Sequence, residues 1–237
     1  MKIDVIIPVY YGNINELEDS IKKQTSFFKR ELLDFDWNIV ISINGPNANE
    51  MINKSKDLIL KYDNVRYLYT KGKGKGYGVI SGWDKSNADI RAYMDLDLAT
   101  DLNCFKSLIL KIIEGYDIST GSRYHKESKI KRKITRKFVS IIYNFIFLRL
   151  IMNFKYSDAQ CGFKAVNKKF INEVMPFVKD RNWYFESEMM YIAQKKGLKI
   201  AEIPIVWEES RNSSINLIKV IPEFLLKTVK LRLRKIN

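Results

Sequence analysis

The residues of this chain best placed to do chemistry begin with Asp95 and Asp97, one residue apart in Met94-Asp95-Leu96-Asp97-Leu98-Ala99-Thr100. At the end of a strand, two such carboxylates can share one hard divalent cation, with phosphate oxygens and water completing its shell. An ion held there would offset the charge building on a departing diphosphate. Solvated turn carboxylates show the same three-residue pattern, so the rest of the chain must decide. Upstream, Lys71-Gly72-Lys73-Gly74-Lys75-Gly76-Tyr77-Gly78 interleaves three lysines with glycines. Glycines let a backbone approach a ligand closely, and the N–H groups of a helix start suit an anion. The spacing is not that of a P-loop, which ends in Lys-Ser or Lys-Thr.

The elements that must position these groups alternate. Lys2 to Val9 is a continuous apolar strand ending at Pro8-Val9, and a helix follows to about Lys29, capped by Asn13 or Asn15. Trp37 to Ile43 is a second strand closing in Asn44-Gly45-Pro46-Asn47, a turn signal. A helix from Asn49 to Tyr62 leads to a strand over Val65 to Tyr69. The glycine-lysine stretch opens a helix to about Lys85, and Asp89 to Met94 is the strand that delivers the two aspartates. This alternation predicts an α/β fold with a mostly parallel, doubly wound sheet flanked by helices. Beyond a helix to Glu114 and a strand at Tyr116 to Thr120, helices are expected at 168–175, 183–196 and 214–235 and a strand at 198–207. Pro222 would kink or split the last helix. No repeat or linker interrupts the pattern, so one domain is expected, with 1–120 serving donor and metal and 121–237 the acceptor.

A net charge of +14 over 237 residues implies a polyanionic partner: nucleic acid, an anionic membrane surface or a phosphate-rich substrate. Nucleic-acid binding would interleave aromatics with basic residues, yet Lys126 to Lys137 contains no aromatic residue. The apolar segment Phe138 to Phe154 follows that basic run, and the pair suits a segment lying at anionic headgroups, about 134–154. A core helix beside a solvated loop would have similar length. The helix over 214–235 carries Ile218, Ile221, Leu225, Val229 and Leu233 on one side and lysines and arginines elsewhere, an amphipathic surface pattern. No apolar run reaches the roughly 18–20 residues of a bilayer span, and the chain enters a strand at once, so no signal peptide is expected. Cys104 and Cys161 show no metal-ligand or redox spacing and are read as reduced thiols; the lone His125 cannot build a histidine metal site.

Taken together, VIIPVY, KGKGYGV, DLDLAT, GSRY, DAQCGFK, WYFESE and EIPIVWEES resemble glycosyltransferase family 2, a GT-A nucleotide-sugar fold. The order of these stretches is most similar to the dolichyl-phosphate and polyprenyl-phosphate glucosyltransferases, and DAQCGFK with EIPIVW is the most specific part. The resemblance implies that Pro8, Tyr10 and Asn44 line the nucleotide site and that Asp95 and Asp97 hold Mg2+ or Mn2+ on the donor diphosphate. It implies that Lys73 and Lys75 support the glycine turn and the phosphates. Ser122, Arg123 and Lys164 would serve the acceptor phosphate, in keeping with the preference of guanidinium for phosphate oxygens. Gln160 would lie near the donor sugar, and Glu186 and Glu188 would flank it. The pattern also departs from the family. Asn44 stands where many members carry an acid, Glu186 stands at an aspartate position, and Arg211 is the substitute for a missing basic residue near the end.

The expected reaction is an inverting, metal-dependent transfer of a sugar from a UDP-linked donor, UDP-glucose first, to a polyprenyl or dolichyl phosphate at the cytoplasmic membrane face. A phosphate oxygen is already anionic at neutral pH and needs little help from a base. A second reading keeps the fold and takes a sugar hydroxyl as acceptor, which would make Glu186 or Glu188 an essential base.

Overall fold

The computed structural model describes residues 1–131, 148–209 and 217–236. Residues 134–147 of the expected membrane segment, residues 214–216 and Arg211 lie outside the described residues. Among the described residues nine strands are present: β1 (Lys2–Val9), β2 (Asp36–Asn44), β3 (Val65–Thr70), β4 (Ile90–Met94), β5 (Ile118–Ser122), β6 (Lys129–Lys131), β7 (Phe163–Asn167), β8 (Ile200–Pro204) and β9 (Val206–Glu208). The α-helices are α1 (Ile14–Glu31), α2 (Asn49–Lys61), α3 (Lys75–Lys85), α4 (Phe105–Ile113), α5 (Lys168–Val174), α6 (Phe185–Lys195) and α7 (Leu217–Leu233).

Seven strands form one sheet in the order β3-β2-β1-β4-β7-β5-β8, and β6 pairs with β9 in a separate ribbon. All pairings in the main sheet are parallel except those of β7, which runs antiparallel between β4 and β5. From β1 the chain steps outward to β2 and β3, then returns to place β4 on the other side of β1. Such a reversal opens a crevice beyond the carboxyl ends of the two central strands, where open α/β sheets bind ligands. Asp95 and Asp97 follow β4 directly into it.

Burial on both faces explains why β1 reads as an unbroken apolar run. Ile3, Val5, Ile7 and Val9 face α1, α2 and α4, where Leu17, Phe28, Met51 and Leu108 pack; Ile6 faces the opposite layer with Val79, Trp83 and Met189. The first layer is organised by Phe28, whose ring lies 5.5 Å from Trp37 and 4.8 Å from Phe105. Burying one such side chain contributes about 1.5–3 kcal/mol.

Three expectations about local structure need correction. The strand expected over 198–207 is two strands, β8 and β9, in different sheets. Pro222 lies inside the single helix α7 rather than dividing it. Asn13 makes no side-chain cap for α1 and accepts instead from Tyr10 N at 3.3 Å, whereas Asp101 Oδ1 accepts from Asn103 N at 2.8 Å and caps the short 3-10 turn Leu102–Cys104 that leads into α4. Among the described residues no helix is long and apolar enough to cross a membrane.

Candidate active site

The crevice floor is built by three groups from distant parts of the chain. Lys75, in the first turn of α3, places Nζ 2.7 Å from Asp95 Oδ1 and 2.9 Å from Glu186 Oε1. Tyr93 on β4 donates its hydroxyl to Glu186 Oε1 at 2.7 Å. The Lys75 ammonium also lies 5.6 Å from the Tyr93 ring centroid and 5.3 Å from that of Trp183. Burial opposes charge on Lys75, but Asp95 and Glu186 outweigh it and hold the ammonium above the ordinary lysine range. Burial likewise opposes charge on Glu186; Lys75, Lys164 and the bonds from Lys75 and Tyr93 outweigh it and hold the carboxyl below its ordinary value. Asp95 is pushed up by burial, with Asp97 and Glu186 adding to the effect against Lys75, although its side chain keeps 41% exposure. Gly162 makes this grouping fit, because a β-carbon there would overlap Asp95 Oδ2 and lie 2.8 Å from Lys75 Nζ.

After Asp95 the backbone turns sharply, with Leu98 N donating to Asp95 O and Leu98 itself at φ 52. A leucine in the left-handed region is strained. The turn sets Asp97 outward: one oxygen accepts from Ala99 N at 3.1 Å, and the residue is exposed.

Residues 157–162 form one wall, pinned by buried charges. Arg123 makes a two-pronged ion pair with Asp158, Nε to Oδ2 at 2.7 Å and Nη2 to Oδ1 at 2.9 Å, and Nη2 also donates to Gln160 O at 2.8 Å. Lys164, fully buried, donates to the carbonyls of Ala159 and Cys161. Glu202 accepts from the backbone N–H groups of Ser157 and Asp158 and from Ser157 Oγ. Gln160 then projects its amide to Ser187 Oγ at 2.7 Å and Trp183 O at 3.3 Å. Burial pushes the Cys161 thiol up to about 12, an unreactive thiol.

Several expected roles change in this light. Ser122 and Lys164, expected at the acceptor phosphate, have no exposed surface and hold the 157–162 wall, Ser122 through Ser157 Oγ at 2.6 Å. Most of the Arg123 fork is committed to Asp158 and Gln160, which leaves Nη1 outside these bonds. Glu188 does not face the crevice: Oε2 accepts from the N–H groups of Lys179 and Asp180, and Oε1 pairs with Arg234 at 2.7 Å. Asn44 is also committed at both ends of its amide, donating to Val9 O at 3.0 Å and accepting from Gly74 N at 3.3 Å. The glycine turn is not an open anion cradle, since Tyr77 N donates to Arg181 O and a β-carbon on Gly74 or Gly76 would strike the Arg181 backbone. Pro8 lies against Gly78, while Tyr10 and Lys73 remain exposed at the rim. Trp183, Tyr93 and Asp158 were not assigned roles from sequence. Asp158 and Trp183 did lie within motifs, but nothing local distinguishes a residue that braces the site from its neighbours.

Asp158 is buried, and although burial opposes its charge, Arg123 and the bonds it makes hold the carboxyl below the ordinary range, as with Glu186. A depressed folded-state pKa gives stability that is present above the unfolded value, about 4 for carboxylates, and lost as pH falls through the folded value. Urea midpoints are therefore expected to drop on acidification below about pH 4. Asp158→Asn should flatten that acid limb and lower the neutral midpoint; an unchanged limb would refute the assignment.

The sequence of residues 4–175 matches the family model for glycosyl transferase family 2. The chain belongs to that family. It is 26% identical over 223 residues to Glycosyltransferase AglD of Haloferax volcanii, an alignment covering 93% of this chain and 35% of the relative. It is 29% identical to the dolichyl-phosphate beta-glucosyltransferase of Saccharomyces cerevisiae, covering 91% and 69%. The chain thus spans only about a third of AglD. Its fold is the GT-A fold, superposing on Mycobacterium tuberculosis glucosyl-3-phosphoglycerate synthase solved with Mn2+, UDP-glucose and phosphoglyceric acid, with TM-score 0.70, 14% identity and coverage of 98% and 79%. The same enzyme with Mg2+ and UDP superposes at TM-score 0.65, 15% identity, 98% and 79%.

In this family 2 chain the donor set fits a hard divalent cation. Asp97 is an exposed carboxylate with Oδ2 outside the turn bond, and Asp95 lies beside it with part of its carboxylate open. The described residues bring no third carboxylate, histidine or cysteine to the pair. An ion here would rely on substrate oxygens and water for the rest of its shell, the habit of Mg2+ and Mn2+ at diphosphates.

Proposed function

We propose that this chain transfers a hexose from a UDP-sugar, UDP-glucose first, to a polyprenyl or dolichyl phosphate, inverting the anomeric centre at the cytoplasmic face of a membrane. The state of Glu186 carries this reading. Its Oε1 is held by Lys75 and Tyr93, and those partners keep it ionised below the ordinary carboxylate range. Such a group is a poor proton acceptor at neutral pH. Glu188 is tied to Arg234 and the 179–180 backbone. A hydroxyl acceptor therefore lacks a suitable base among the expected acids, whereas a phosphate monoester needs none.

The reaction balances without a proton. A phosphate oxygen forms the bond to the anomeric carbon, the bond to the UDP oxygen breaks, and its electron pair leaves with UDP. Asp95 and Asp97 would hold the cation, which neutralises charge on the leaving diphosphate. Glu186 Oε2, outside the Lys75 and Tyr93 contacts, orients a sugar hydroxyl, with Gln160 and Trp183 closing the wall beside it. Arg123 Nη1 and Lys73 supply positive charge for the acceptor phosphate. The resemblance of sequence to dolichyl-phosphate beta-glucosyltransferases supports the acceptor class.

Labelled sugar supplied as a panel of nucleotide sugars, with short polyprenyl phosphate, should enter the organic phase from one donor and stop on adding EDTA. The rate should stay nearly flat through the neutral range. Label appearing only on a water-soluble sugar, with a rate rising with pH, would replace the lipid phosphate by a hydroxyl acceptor.

A further inference from the structure

The helix α7 presents opposite faces to two different tasks. Phe224, Thr228 and Leu231 are buried inward. On the opposite side Leu225, Leu226, Val229 and Leu233 are 37%, 55%, 40% and 78% exposed, flanked by exposed Lys230 and Arg232. Apolar residues at helical spacing between cations suit a surface of anionic headgroups. That outward role follows from the proposed function; the inward contacts lead further.

Most of the polar and ring contacts around α7 end on residues 177–184 or on Glu188 beside them, with Arg232 Nη1 also donating to the Tyr191 hydroxyl at 3.5 Å. Lys227 Nζ pairs with Asp180 Oδ2 at 2.6 Å. Arg234, just past the helix end, pairs with Glu188 at 2.7 Å and donates to Phe177 O at 2.8 Å. Tyr184 donates to Thr228 Oγ1 at 3.2 Å and stacks edge-on against Phe224 at 5.3 Å. The same loop reaches the crevice on its other side. Arg181 O accepts from Tyr77 N at 3.0 Å in the glycine turn, and Trp183 lies over Lys75 at 5.3 Å and offers its carbonyl to Gln160. Asp180 also caps α6, the helix carrying Glu186, by accepting from Phe185 N at 3.1 Å.

We propose that Lys227 and Arg234 are positioning residues for the donor site: through Asp180 and Glu188 they fix the loop that seats Trp183, Lys75 and the glycine turn. The helix that meets the membrane thereby sets the donor-side geometry. Part-buried charge pairs suit this task because Asp180 and Glu188 themselves hold the backbone N–H groups of Lys179, Asp180 and Phe185, so freeing those carboxylates loosens the loop, and small misplacements at a reacting centre are costly. The inference rests on the proposed donor and membrane roles for its consequence, but not for its physical content.

The test uses the full chain and the double variant Lys227→Met, Arg234→Met, with Lys227→Arg as the conservative control. Hydrogen exchange reads the coupling without any substrate: amides of 74–78 and 179–186 should exchange about tenfold faster or more in the double variant, while those of β1 and β4 keep their protection. Lys227→Arg alone should keep the wild-type protection. With UDP-glucose and Mn2+, the double variant should raise the donor KM about tenfold with a smaller change in kcat. Its binding to vesicles of phosphatidylcholine with about 30% phosphatidylglycerol should be unchanged, since the outward face is intact. Unchanged exchange at 74–78 overturns the proposal, as does exchange that rises uniformly over the sheet. Wild-type protein that ignores UDP-glucose would overturn the proposed function instead, leaving the exchange result to judge the coupling.

Discussion

Asp97→Ala is expected to lower sugar transfer by on the order of 10²–10³-fold or more, because it removes one of two carboxylates available to a cation at the leaving diphosphate. The fold should barely notice. Asp97 is exposed, and its recorded bond in the turn is one oxygen accepting from Ala99 N. Losing such a surface contact costs within about 0.5–1 kcal/mol. Transfer assays across a Mn2+ titration, beside a thermal melt, separate the two effects. The melting temperature should stay close to wild type while the metal requirement rises steeply or activity vanishes at all Mn2+ concentrations. Full transfer by the variant with metal present would remove Asp97 from the mechanism.

Lys75→Met is expected to produce the largest stability loss of any single change in the site. Lys75 is the shared cation of two acids, and Glu186 is 3% exposed while Asp95 keeps 41% exposure. Removing one partner from a buried pair costs about 3–5 kcal/mol, and the Asp95 side contributes less because water screens it. A loss of about 3 kcal/mol lowers the melting temperature of a chain this size by roughly 10 °C. The pH dependence gives the sharper test. Without Lys75 the strongest influence opposing burial is gone and Glu186 moves up from its depressed folded value, so the variant's deficit is smallest where Glu186 is protonated and grows as pH rises from acid toward neutral. Melts from acid to neutral pH should show the gap from wild type widening with pH. A gap that is constant or narrows with pH would mean that Lys75 does not neutralise Glu186.

Sequence alone determined the elements and their class. Apolar runs such as Lys2 to Val9 and the pattern that alternates strands with helices require a sheet buried on both faces, and DLDLAT placed two carboxylates just past a strand end. These features are local: each depends on residue type and spacing within about ten positions. The family resemblance rested on the order of such local stretches, and the match to glycosyl transferase family 2 over residues 4–175 agrees with it.

Tertiary structure decided what each charged group does. The family resemblance assigns Arg123 and Lys164 to the acceptor phosphate, and for Arg123 the preference of guanidinium for phosphate oxygens agrees. Arg123, however, is taken by Asp158 and the Gln160 carbonyl, brought close when β7 inserts antiparallel between β4 and β5, and Lys164 by the carbonyls of Ala159 and Cys161 just before it in the chain. Glu186 and Glu188, two residues apart in one helix, read as equivalent sugar-flanking acids. The turn of α6 sends one to Lys75 in the crevice and the other to Arg234 behind it, since residues two apart do not share a helix face. The glycine turn met the Arg181 backbone rather than open solvent for the same reason. Buried charge takes its role from the partner the fold delivers, and for Lys75 that partner lies far away in sequence, 111 residues on at Glu186.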